Sequence, residues 1–156
     1  MIALTVLVVA LLAGAGFWLK RSFAVVQVAG SSMLPAVGPG DRVLARRRRP
    51  GSLCPGQIVV VRRPRINYPV DMVPDPESTA PSPIEHPLWI VKRVAATAGT
   101  PIRSGWLPAD LDGNGAVVPA RMLVLLGDNP DASFDSRQLG YFPVRDLLGV
   151  VVRRMR

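Results

Sequence analysis

Met122-Leu-Val-Leu-Leu-Gly-Asp-Asn-Pro-Asp-Ala-Ser-Phe-Asp-Ser-Arg-Gln-Leu-Gly140 sets two kinds of sequence end to end. Residues 122–126 are a short apolar run bounded by a turn signal, which reads as a buried strand. Residues 127–140 are dense in turn formers and hydrogen-bonding side chains, so the strand feeds a structured loop packed by Asp/Arg pairs. The same short β-type run recurs at Phe23–Val28, Arg42–Ala45, Gln57–Val61, Leu88–Val94 and Leu147–Val152. Turn signals such as Gly38-Pro-Gly-Asp41 and Asp112-Gly-Asn-Gly115 separate the runs. Sixteen Pro and fourteen Gly argue against a helical bundle. A mainly β domain is predicted, barrel-like or multi-sheet, with no internal repeat.

The rest of the composition excludes several classes. With 49% hydrophobic and 19% charged residues the chain is not globally disordered. Cys54 is the only cysteine, so no intramolecular disulfide is possible. With His86 as the only histidine, a Cys/His metal site lacks ligands, and no metal or organic cofactor is expected. A Ser-His-Asp triad would have to use His86, inside a proline-rich stretch, and is disfavoured. The net charge of +8 admits nucleic acid, anionic membrane or acidic substrates as partners. Arg46-Arg-Arg-Arg49 and Arg62-Arg63 could touch lipid headgroups. A solvated turn in an arginine-rich chain is the preferred reading. Nucleic-acid binding is disfavoured, because no helix-turn-helix, zinc or aromatic stacking pattern accompanies the charge.

Residues Ile2 to Leu19 are uncharged and strongly apolar. As a helix they would span about 27 Å, enough for a hydrocarbon core. Residues 1–21 are therefore expected to form a single-pass transmembrane anchor, and residues 22–156 one domain. A cleavable signal peptide with Ala13-Gly-Ala15 as its small-residue site is the competing reading. It lacks a charged n-region, and the apolar run continues past that site. Lys20 and Arg21 follow the segment with no basic side chain before it, which by the positive-inside rule would favour a cytoplasmic domain. Residues 65–87, rich in Pro, Ser and Asp, are expected to be a flexible loop, and residues 102–121 a small hairpin.

The chain holds 17 arginines and two lysines. Lys92 sits inside the apolar run Leu88-Trp-Ile-Val-Lys-Arg-Val94. Arginine keeps its proton in a protein, whereas a desolvated lysine can release it and act as a base. Taken alone, Lys92 reads as a strand lysine that snorkels to solvent. Ser32, in Gly30-Ser-Ser-Met-Leu-Pro35, lies where a strand pattern gives way to a turn, which can lift a hydroxyl clear of the sheet and free backbone N–H groups for an oxyanion. Ser133, in the loop after residues 122–126, could orient the lysine.

These stretches together resemble the type I signal peptidase family. Ser32-Met-Leu-Pro35, Gly40-Asp-Arg-Val-Leu44, Lys92-Arg-Val94 and Gly127-Asp-Asn129 with Ser133-x-Asp-Ser-Arg137 and Gly140 match the family's boxes in order. The resemblance implies a membrane-bound serine endopeptidase with a β-rich catalytic core and a short or absent accessory domain. It implies Ser32 as nucleophile, Lys92 as general base and Ser133 orienting Lys92. The Ser32 backbone N–H would supply part of the oxyanion hole, with Ser31 a candidate for the rest. Met33 would help line the substrate cleft, and Arg93, Asp128, Asp135 and Arg137 would fix the loop through salt bridges. The implied partner is a pre-protein with small residues before the cut, with the catalytic domain expected on the extracytoplasmic face of the cell membrane. Gly30 stands where some relatives carry an oxyanion hydroxyl, and Ala95-Ala-Thr-Ala-Gly-Thr-Pro101 replaces the family's usual Gly-x-Pro-Gly-Asp pattern. Gly127-Asp-Asn-Pro-Asp-Ala-Ser133 also resembles maturation proteases of nickel-type superoxide dismutase, which trim one precursor. A non-catalytic basic protein binding a membrane surface or nucleic acid is the alternative from another class.

Overall fold

The apolar runs pair into one sheet. In the computed structural model, which describes residues 13–14, 16–17, 20–47, 53–64, 88–112 and 115–155, the strands are β1 (Phe23–Gln27), β2 (Arg42–Arg46), β3 (Ile58–Arg62), β4 (Trp89–Thr97), β5 (Met122–Leu126), β6 (Phe142–Pro143) and β7 (Leu147–Met155). Their order is β1-β2-β7-β3-β4-β5-β6, and every neighbouring pair is antiparallel. The domain is mainly β, as its runs and turns predict, and is built on a single seven-stranded sheet. The last strand lies inside the sheet, between β2 and β3.

Valine-rich β3 shows why both sheet faces are covered. Successive side chains of a strand point to opposite faces. Val59 and Val61 pack with Leu53, Val94, Leu123, Leu125, Phe142 and Val150. Val60, between them, packs with Val28, Met33, Val37, Val43, Ala45 and Val91. A strand buried on both sides reads as a continuous apolar run, which is what Ile58–Val61 is. Register shifts at Leu44/Ala45, Val60/Val61 and Val94/Ala96 mark bulges, which bend a sheet and let it curl around two cores. Gly149 of β7 is required by close approach, since a Cβ there would stand 2.5 Å from the Arg46 carbonyl oxygen.

Between β4 and β5 the described residues make an antiparallel β-bridge, Pro101 to Val117, flanked by hydrogen bonds from the Val118 N–H to the Thr100 carbonyl and from the Ile102 N–H to the Ala116 carbonyl. Leu107 and Val118 from this insertion bury against Ala96 and Val124. The expected anchor, residues 1–21, lies largely outside the described residues, and the expected flexible loop, 65–87, lies wholly outside them. Residues 20–22 are helical and run directly into β1. Among the described residues no helix is long and apolar enough to cross a membrane.

Candidate active site

Three separate parts of the chain supply the predicted site residues. Lys92 lies mid-strand in β4, paired with Val59 of β3. Strand alternation places it on the same face as Ile90 and Val94, which pack in the first core. Only 3% of Lys92 is exposed. Burial is the main influence on its amine and lowers its pKa to about 8; the Asp135 carboxylate pulls the other way, and Arg137 and Arg63 reinforce the drop.

The Lys92 Nζ donates to Ser133 Oγ at 2.8 Å. Ser133 Oγ in turn donates to Asp135 Oδ2 at 2.5 Å. A hydroxyl has one proton, so giving it to Asp135 leaves the oxygen free to accept from Lys92. Asp135, fully buried, also accepts from the Gly127 N–H at 2.7 Å and from Arg137 Nη2 at 2.7 Å. Burial pushes the Asp135 carboxyl up, but the hydrogen bonds from Arg137, Ser133 and Gly127 outweigh it and hold its pKa below the usual carboxylate value. The carboxylate thus stays charged and fixes the direction of the Ser133 hydroxyl.

The local sequence makes this loop rigid. After β5, Pro130–Ala132 forms a 3-10 turn and Ser136–Leu139 a short helix, α1. Asp135 and Gln138 form a capping box at the start of α1. Buried Ser136 accepts the Leu125 N–H at 2.8 Å, tying α1 to β5. Arg93, next to Lys92 but on the opposite face, grips Asp128 in a two-pronged ion pair at 2.7 and 2.6 Å and reaches the Gly56 carbonyl at 2.7 Å.

Ser32 is half-buried in the turn after β1. Its carbonyl accepts the Asn129 N–H at 3.0 Å, and the Asn129 side chain donates to the Ser31 carbonyl at 3.3 Å. A Cβ on Gly127 would stand 2.2 Å from Ser133 Oγ and 2.6 Å from the Ser32 carbonyl oxygen. The Ser32 backbone and the Ser133 hydroxyl therefore press on the same glycine, which brings the nucleophile candidate to the loop that holds the lysine. In this structure the Lys92 hydrogen bond goes to Ser133, not to Ser32. Met33, expected in the wall of a substrate cleft, is fully buried in the second core.

Four further residues support the site, three of them inside the quoted boxes but given no role there. Gly127 had a visible signal, a glycine at the exit of a strand. Asn129 had one too, an Asn before Pro. Asp41 lay in a turn signal, but its pairing with Arg154 had none, because the two are distant in sequence. Asp41 accepts from the Gly38 N–H at 2.7 Å and pairs with Arg154 at 2.8 Å, and Arg154 also reaches the Ala36 carbonyl at 3.0 Å. That clamp ties the Ser32 turn to β7. Among the described residues no His/Cys/Asp/Glu group could hold a metal ion.

The arrangement offers a buried amine with a lowered pKa, an oriented hydroxyl beside it and a second serine on an adjoining turn. A family model described as signal peptidase, peptidase S26, matches residues 1–105 and 104–155. No curated protein matches the chain.

Proposed function

Because the chain belongs to the signal peptidase family, peptidase S26, we propose that this serine peptidase removes leader segments from pre-proteins with a Ser32/Lys92 dyad. The observation that carries the reading is the buried Lys92 amine held by Ser133 at 2.8 Å beside the turn that bears Ser32. Neutral Lys92 takes the Ser32 proton as Ser32 Oγ attacks the scissile carbonyl carbon. The C–N bond then breaks, and the protonated lysine returns the proton to the leaving amine. A water deprotonated by Lys92 hydrolyses the resulting ester and frees Ser32. The substrate docks as an extended segment against a strand edge, with small residues at the first and third positions before the cut.

The test uses the full chain in membranes with a pre-protein that carries an Ala-x-Ala site. The wild type cleaves at that site, and Ser32→Ala and Lys92→Ala do not. Cleavage by either variant at the wild-type rate would sink the dyad. Cleavage of only one dedicated precursor, at the same dyad, would instead favour a maturation protease like that of nickel-type superoxide dismutase.

Residues 1–21 serve in this proposal as the anchor, with the catalytic domain on the extracytoplasmic face. Alkaline phosphatase fused after Arg156 is then active. An inactive fusion beside an active cytoplasmic reporter places the domain inside.

A further inference from the structure

The Asn129 side chain sits where it would ordinarily cap a turn and does not. Asn is among the residues favoured at N-caps, because its side-chain oxygen accepts a free backbone N–H. Asn129 occupies the N-cap of the Pro130–Ala132 turn with no side-chain capping bond. Its Nδ2 instead donates to the Ser31 carbonyl, 98 residues away in sequence. The same carbonyl accepts the Leu34 N–H at 3.1 Å, and the next carbonyl, that of Ser32, accepts the Asn129 N–H.

The Ser31 carbonyl and the Ser32 N–H belong to one peptide unit. That unit is planar, and its C=O and N–H point in opposite directions. A donor fixed on the carbonyl therefore aims the N–H and, by polarising the peptide, makes it a better donor. Resting on the dyad reading, we propose that Asn129 is a positioning residue for the oxyanion hole: its side-chain amide orients the Ser31–Ser32 peptide so that the Ser32 N–H meets the oxyanion formed at the scissile carbonyl. Gly30 has no hydroxyl to share that task, which raises the weight on this N–H beside the candidate Ser31.

Two substitutions separate the idea from general loosening. Asn129→Ala removes the donor. Asn129→Asp keeps the shape but turns a carboxylate toward the Ser31 carbonyl, and places negative charge near the forming oxyanion. Removing an oxyanion donor outright lowers kcat about 10²–10³-fold, and misaiming one should lower it about 10–100-fold. In the full chain, with the Ala-x-Ala pre-protein, kcat falls in the order wild type, Asn129→Ala, Asn129→Asp. KM stays within about twofold in both variants, and in the uncharged Asn129→Ala the pH midpoint of kcat/KM does not move, because the Lys92–Ser133 hydrogen bond is untouched.

A second measurement needs no substrate. In protein labelled with ¹⁵N-serine, the Ser32 amide resonance shifts in both variants while that of Ser136 stays in place. An unmoved Ser32 resonance, or kcat at the wild-type value in both variants, overturns the proposal. So does a loss confined to KM, or one in Asn129→Ala matched by a moved pH midpoint. If Ser32→Ala still cleaves, the dyad reading has failed. If Ser32→Ala is inactive while both Asn129 variants are fully active, only the role of Asn129 has failed.

Discussion

A lysine with a pKa of about 8 is protonated in most molecules at neutral pH. If neutral Lys92 is the base, kcat/KM falls about tenfold for each pH unit below that value and levels off above it. Asp135 favours the charged amine, and Arg137 opposes it. Asp135→Asn therefore removes a stabiliser of the ammonium and moves the midpoint of the pH profile below about 8. The plateau drops as well, since Ser133 loses the acceptor that fixes its hydroxyl. A midpoint that rises, measured by initial rates between pH 5 and 10, would contradict this electrostatic account. At this scale Lys92 was legible, because an ionisable residue in an apolar run among 17 arginines stands out. The geometry around it was not: that Ser133 accepts from Lys92 while donating to Asp135 depends on a loop conformation no periodicity encodes. Met33, next to the candidate nucleophile Ser32, is fully buried in the second core, a placement that no local pattern announced.

The elements explain which glycines matter and why. At Gly127 a methyl group would collide with both Ser133 Oγ and the Ser32 carbonyl. Gly127→Ala should destabilise the fold by about 1–3 kcal/mol and also push Ser133 off Lys92, so activity per folded molecule drops. At Gly149 the collision is with the Arg46 backbone, between β2 and β7. Gly149→Ala should lower the melting temperature by a similar mechanism and leave kcat per folded molecule unchanged. Thermal melts paired with active-fraction assays distinguish the two, and equal activity losses would undo the contrast. The longer strands were readable from apolar runs between turn residues. β6 was not, because two residues, Phe142 and Pro143, make no pattern. The end of β4 was also missed: the strand continues through Ala95, Ala96 and Thr97 across a bulge, where alternation is interrupted.

At the scale of the whole molecule, the neighbours of each strand were beyond reach of local pattern. Nothing in Leu147–Met155 says that it inserts between β2 and β3. Long-range pairing is selected by which register buries both faces, a property of the assembled sheet. That placement makes β7 the joint between the side carrying the Ser32 turn and the side carrying Lys92. A chain ending at Asp146 should show no cooperative thermal transition, and a cooperative melt in that truncation would mean the two sides fold independently. There is also a consequence for timing during synthesis. Ser32 and Lys92 are both translated well before β7, yet the sheet that carries them on either side of that strand cannot close until it has left the ribosome. On the proposed dyad, a nascent peptidase stalled ahead of residue 147 would hold Ser32 and Lys92 apart, unable to cut neighbouring chains while it is still being made.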